Sequence, residues 1–141
     1  MAVTAAIKAE ILIDGVAEGT ILKLAAPICF WGGVDPTSGR ISDPQHPNYN
    51  AIVTGTILVI PRIVGSSSSS QLLLELMYLG RHPAAILLGE PDAILGIASL
   101  VGREMAFGTI PILHTPLTQL ETGMHAMIAP GGRIVAEMAS D

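Results

Sequence analysis

From Val3 to Ile13 every odd position is apolar, with Thr4, Lys8 and Glu10 falling between. That period of two predicts a half-buried strand. A second strand is predicted from about Thr20 to Cys29, after a glycine-bounded turn. Between Trp31 and Asn50 the pattern dissolves into Gly-Gly, Asp-Pro, Ser-Gly, His-Pro and Tyr-Asn pairs, which read as one long loop of the kind that often carries function. Continuous apolar runs then appear at 57–60, 85–88 and 110–113, as suits strands covered on both faces of a parallel sheet. A first helix starts within Ser66 to Ser70, carries Leu72, Leu73, Leu76 and Leu79 on one face and stops at Gly80. A second opens near Glu90-Pro91, with proline at the first helical position, and continues through the apolar stripe Ile94, Ile97, Leu100 and Val101. Pro130-Gly131-Gly132, between two alternating segments, predicts a closing hairpin. The expected fold is α/β: an N-terminal antiparallel pair packed on a small sheet that carries the helices, in one domain over 1–141.

Composition adds a partner to this picture. Half of the residues are hydrophobic and 13% are charged, against about 25% in an ordinary soluble domain. So little polar material leaves apolar patches exposed, and such patches mark permanent partners or oligomer interfaces. The net charge of -5, with no lysine or arginine run, argues against binding nucleic acid. No apolar stretch reaches the roughly 18 residues of a membrane span, and no basic region with an apolar core opens the chain, so a soluble cytoplasmic protein is expected. The lone cysteine, Cys29, fits a reducing compartment and rules out both an internal disulfide and an iron-sulfur cluster held by this chain alone.

The segment richest in chemical content is Pro61-Arg62-Ile63-Val64-Gly65, followed by five serines, Ser66 to Ser70. It lies between a buried strand and an amphipathic helix, where free backbone N–H groups and the positive end of the helix dipole favour an anion. A carboxylate or a serine alkoxide can be held there. Read on residues alone, the run also suits a flexible linker or a helix cap. A linker joins domains, however, and this run sits inside one βα unit. Gly65 lacks the following lysine and spacing of a phosphate-binding P-loop.

Phe30-Trp31-Gly32-Gly33-Val34-Asp35-Pro36, then Thr37, Gly39, Ile41, Asp43 and His46-Pro47, with the distal Gly65-Ser66-Ser67, resembles the small subunit of aconitase X enzymes, also described as the phosphomevalonate dehydratase small subunit family. Gly80, Pro83-Ala84-Ala85-Ile86 and Ile110-Pro111 extend the likeness over most of the chain. The resemblance implies a swivelling β/β/α domain like the mobile domain of aconitase. It also implies a large catalytic subunit that carries iron or an iron-sulfur cluster, and a heterodimeric hydro-lyase in which this chain is inactive alone. The serine after the glycine, Ser66 here, is then the proton acceptor. Family members dehydrate 5-phosphomevalonate or cis-3-hydroxy-L-proline. The phosphomevalonate type tends to place a basic residue and glycine just before the serine, whereas Ile63-Val64 precede Gly65 here and leave Arg62 as the nearby cation. That difference favours a non-phosphorylated substrate such as cis-3-hydroxy-L-proline.

Under this reading the Ser66 alkoxide removes a proton beside the substrate carboxylate, while Gly65, Ser67, Ser68, Arg62, Trp31, Gly32, Gly33 and His46 line or bind the substrate. Trp31-Gly32-Gly33 also reads as a structural corner, and His46 as a surface histidine. Asp35 reads as a turn residue, Cys29 as a buried small hydrophobe at a strand end, and Glu90 with Asp92 as a helix start. His82, His114 and His125 share no metal-binding spacing, so no metal is assigned to this chain. Two other functions fit the sequence: a non-catalytic interaction or carrier module that docks through its apolar surface, and the small subunit of an isopropylmalate dehydratase.

Overall fold

The computed structural model describes residues 3–65 and 68–138. In chain order the elements are β1 (Val3–Lys8), β2 (Glu10–Ile13), β3 (Ala17–Lys23), the helical corner α1 (Phe30–Gly33), β4 (Val34–Asp35) and β5 (Arg40–Ile41). They continue with β6 (Ile57–Ile60), α2 (Ser68–Tyr78), β7 (Ala85–Leu88), α3 (Ala93–Glu104), β8 (Ile112–His114), β9 (His125–Ala129) and β10 (Arg133–Met138).

Eight strands form one sheet in the order β1-β10-β9-β3-β6-β7-β8-β2. Its centre, β3-β6-β7-β8, is parallel, as the continuous apolar runs predict, and the remaining pairings are antiparallel. The hairpin through Pro130-Gly131-Gly132 forms as expected between β9 and β10. The N-terminal antiparallel pair does not form. Instead the Val3 to Ile13 segment serves both edges of the sheet, because β1 pairs with β10 while β2 pairs with β8. Ala9 is the pivot between the two ladders, and its N–H donates to the Gly132 carbonyl at 2.7 Å. The sheet therefore nearly closes into a barrel.

β3 also ends before the predicted limit of Cys29, for Pro27 has no N–H to give to a ladder. Pairing resumes briefly beyond it, where Ile28 bridges Ile63 in parallel. The supposed loop from Trp31 to Asn50 holds the corner α1 and the β4-β5 hairpin, with Val34 opposite Ile41.

Alternation within β6 and β7 divides the core in two. Leu58, Ile60, Ile86 and Leu88 face the helices and meet Leu72, Leu73, Leu76, Met77, Leu95 and Ala98. Ile57, Val59, Ala85 and Leu87 face the other way, into the curved sheet, and meet Ile21, Leu113, Met124, Ile128 and Ile134. Both faces of these strands are covered, so every residue of β6 and β7 is buried.

α2 buries Ser69, Leu72, Leu73, Leu76 and Met77, while Leu79 falls beyond its end and is exposed. α3 starts later than predicted: the carboxylate of Asp92 accepts from the Leu95 N–H at 2.9 Å, which makes Asp92 the N-cap and leaves Pro91 outside the helix. Its facing is inverted as well. Leu95, Gly96, Ala98, Ser99 and Gly102 are buried, whereas Ile94, Ile97, Leu100 and Val101 are exposed. The cause is close helix approach, since the Met77 side chain lies where a side chain on Gly102 would stand. Small residues let the two helices touch, and the bulky ones are turned outward.

Candidate active site

The four parallel strands run in one direction, so the segments after β3, β6, β7 and β8 emerge at one edge of the sheet. In open α/β sheets that carboxyl edge is where ligands bind. The segment after β3 stays paired with the one after β6: Ile28 donates to the Arg62 carbonyl at 3.4 Å and accepts from Val64 N–H at 2.9 Å. This brings Cys29 against Gly65. The N-terminal ends of α2 and α3 open at the same edge, after β6 and β7. Their partial positive charges favour an anion there.

Gly65 has φ +109°, a conformation that side chains disfavour. Space forbids a side chain as well, because a Cβ at Gly65 would lie 2.7 Å from Cys29 Sγ. Ser66 and Ser67, the residues assigned from sequence as proton acceptor and substrate binder, lie outside the described residues. Ser68 opens α2. Cys29 is half-buried and lies past the end of β3, so it is neither a strand end nor a fully buried hydrophobe. Its thiol donates to the Trp31 carbonyl at 3.3 Å.

Of the remaining candidates, Trp31, Gly32 and Gly33 adjoin this edge through Cys29. Trp31 is 57% exposed. Together with Gly32, Val34, Pro36, Leu72 and Glu75 it lines a shallow groove of about 380 Å³ against α2. Gly32 turns the chain at φ +80°. Gly33 packs on Ile28, and Ser42 N–H holds the Gly33 carbonyl at 2.9 Å. Arg62 extends into solvent with its Nε 4.0 Å from Glu90 Oε2, a contact too exposed and too long to fix either side chain.

His46 is not brought to this site in a usable form. It is 7% exposed, with Nε2 3.2 Å from the Ala26 carbonyl and Nδ1 accepting from Asn48 N–H at 3.0 Å. Both ring nitrogens are spent on main chain, so the residue ties its loop to the segment after β3 rather than orienting a substrate or facing solvent. Asp35 takes Thr37 Oγ1–H at 2.8 Å, Thr37 N–H at 3.0 Å and Ser38 Oγ–H at 3.1 Å. These bonds, led by the Thr37 hydroxyl, hold its carboxyl below the usual carboxylate range and commit it to a turn.

His82, His114 and His125 are far apart in function: His82 meets the Pro83 carbonyl, His114 meets Gly89 and Glu10, and His125 meets Glu18. Among the described residues no group of three or more His, Cys, Asp or Glu side chains is placed to hold a metal ion. Nor is any helix among them long and apolar enough to cross a membrane. A larger groove of about 390 Å³, lined by Thr4, Ala5, Thr118, Gln119, Glu121, Met124 and Met138, contains none of the candidate residues.

Ser69 belongs to the serine run but had received no role, and it is buried. Its signal was present in the spacing, since Ser69 precedes Leu72, Leu73 and Leu76 by three, four and seven positions and so shares their buried face.

Known proteins are similar to this chain over most of its length. The family model described as the aconitase X swivel domain matches residues 6–136. A cis-3-hydroxy-L-proline dehydratase of Pseudomonas aeruginosa is 44% identical over 101 residues, which are 72% of this chain and 17% of that protein. A phosphomevalonate dehydratase small subunit of Methanopyrus kandleri is 33% identical over 121 residues, covering 83% of this chain and 85% of that one. The crystal structure of Thermococcus kodakaraensis aconitase X in its holo-form superposes with a TM-score of 0.85 at 28% identity, covering 94% of this chain and 98% of that chain. The chain thus spans under a fifth of the length of the hydroxyproline dehydratases it matches, at 17% and 19%, but most of the length of the separate small subunits. By these matches, the chain belongs to the aconitase X swivel domain family.

Proposed function

We propose that this chain is the serine-bearing part of a two-part hydro-lyase that removes water from a hydroxylated carboxylic acid. The observation that supports this most directly is the Gly65 turn, held at φ +109° between a buried parallel strand and the start of α2. Ser66 follows that turn, where main-chain N–H groups of the first helical turn favour an ionised oxygen. As an alkoxide it takes the proton from the carbon beside the substrate carboxylate. The electron pair of that C–H bond becomes the new double bond, and the hydroxyl on the next carbon leaves and ends as water. The N–H groups of Ser67 and Ser68 hold the carboxylate as negative charge develops on it. We assign the iron or iron-sulfur centre to the large partner, where it would supply Lewis acidity.

We favour cis-3-hydroxy-L-proline over 5-phosphomevalonate as the substrate. Ile63 and Val64 precede Gly65, which leaves Arg62 as the nearby cation. A phosphate finds a single positive side chain on this segment, and that one extends into solvent. The test is a substrate panel with the chain and its large partner together and each alone. Water is expected to be lost from cis-3-hydroxy-L-proline only with both present, and 5-phosphomevalonate is expected to be inert. Dehydration of 5-phosphomevalonate instead would reverse the substrate assignment. A partner without iron and a complex without lyase activity would favour the non-catalytic docking module.

The outer face of α3 supports an obligate partner. Ile94, Ile97, Leu100, Val101 and Met105 are all exposed on it, and Ile97 is 60% exposed. Relatives in which the matching segment is under a fifth of one longer chain have the rest of that protein available to cover such a face. We therefore expect Ile97→Glu to weaken recovery of the complex on a pull-down by at least about tenfold, through a charge buried at the contact, while the isolated chain keeps its melting temperature. Undiminished recovery would place the partner on another face.

A further inference from the structure

The two halves of the nearly closed sheet differ in what covers them on the outside. α2 and α3 lie over the parallel half, where Leu58, Ile60, Ile86 and Leu88 meet them. Over β1, β10 and β9 every second side chain faces outward and is exposed. Ala6, Val135 and Met127 stand side by side across these three strands, with Val135 48% and Met127 53% exposed.

Charges of opposite sign flank that apolar row. At one end Lys8 lies directly opposite Arg133, a like-charge pair that costs stability. At the other end stands Glu137, opposite Thr4. None of these three charges forms an ion pair among the described residues. Glu18, at the rim on β3, is already engaged by His125 at 2.7 Å.

We infer that this face is a self-contact, on which a second copy of the chain docks about a two-fold axis. β10 alone carries the essential arrangement: Arg133, Val135 and Glu137 point outward in turn, the two charges about 13 Å apart with the apolar residue midway. Turning a copy by half a turn about an axis that lies in the face and crosses the strands at Val135 brings the two faces together. Val135 then meets Val135, Met127 meets Met127, and Arg133 at each end meets Glu137 of the copy. Lys8 adds to the same attraction beside Arg133. A two-fold contact requires one patch that complements itself, and this face does so in its charges and in its apolar row alike. An acidic partner answers Lys8 and Arg133 but repels Glu137, and a basic partner does the reverse; a copy answers both. The contact leaves the exposed face of α3, over the other half of the sheet, for the large partner, and it stands apart from the chemistry proposed above.

Sedimentation of the full chain is expected to show two copies. Arg133→Glu sets like charges against each other at both ends of the contact, and so does Glu137→Arg. Each is expected to weaken self-association by about tenfold or more while the melting temperature stays unchanged, because both positions are exposed. Mixed in equal amounts, the two variants become complementary to one another, and the mixture is expected to associate as tightly as the unaltered chain. The inference is overturned if the chain sediments as a single copy, if it self-associates but neither variant weakens it, or if mixing the variants restores nothing. Loss of the large partner from either variant on a pull-down, with self-association untouched, would overturn it as well and give the face to that partner.

Discussion

Ser66→Ala in the assembled complex is expected to lose on the order of 10³-fold or more in kcat while binding its large partner unchanged. Alanine removes only the side-chain oxygen to which the proposed function gives the proton. A neutral serine hydroxyl is a weak base, so the rate depends on the fraction held as alkoxide and on the donors that hold it. Steady-state kinetics, with gel filtration and iron content of the complex as controls, measure the effect. Normal turnover would move the role to Ser67.

Gly65→Ala is expected to damage both stability and rate. The added Cβ must accept φ +109°, which costs about 1–3 kcal/mol, a fall on the order of 3–10 °C in melting temperature. It must also find room 2.7 Å from Cys29 Sγ, so the turn moves. A displacement of about 1 Å at a reacting group costs on the order of 100-fold in rate. Cys29→Ala added to Gly65→Ala is expected to recover part of the stability, for it removes the sulfur and leaves only the backbone strain. Calorimetry and kinetics on the two single variants and the double variant close that cycle. A Gly65→Ala protein with unchanged melting temperature and turnover would show that the turn is not the fixed point of the site.

The parallel core was legible because 57–60 and 85–88 are apolar without interruption, which only strands covered on both faces tolerate. Closure of the sheet was not. Alternation from Val3 to Ile13 reports which side chains face inward, but it carries no mark of the partner strand, and one segment here serves two partners. α3 was misread for a different reason. Ile94, Ile97, Leu100 and Val101 make the stronger apolar stripe, yet packing is decided by distance of approach, and Gly96, Ala98, Ser99 and Gly102 permit the closer one. At the candidate site, the Gly65 turn and the neighbouring corner at Trp31 were visible as glycines in a strand-to-helix context. The engagement of His46 was not visible, since it depends on what lies across the fold from it.

The pivot at Ala9 constrains how the domain meets other molecules. One continuous segment borders the sheet at both ends, six residues against β10 and four against β8, so each rim is short and adjoins the other. A foreign strand finds little main chain to zip onto. A partner would meet the domain without being stitched into its sheet, through apolar surface and shape on its flanks.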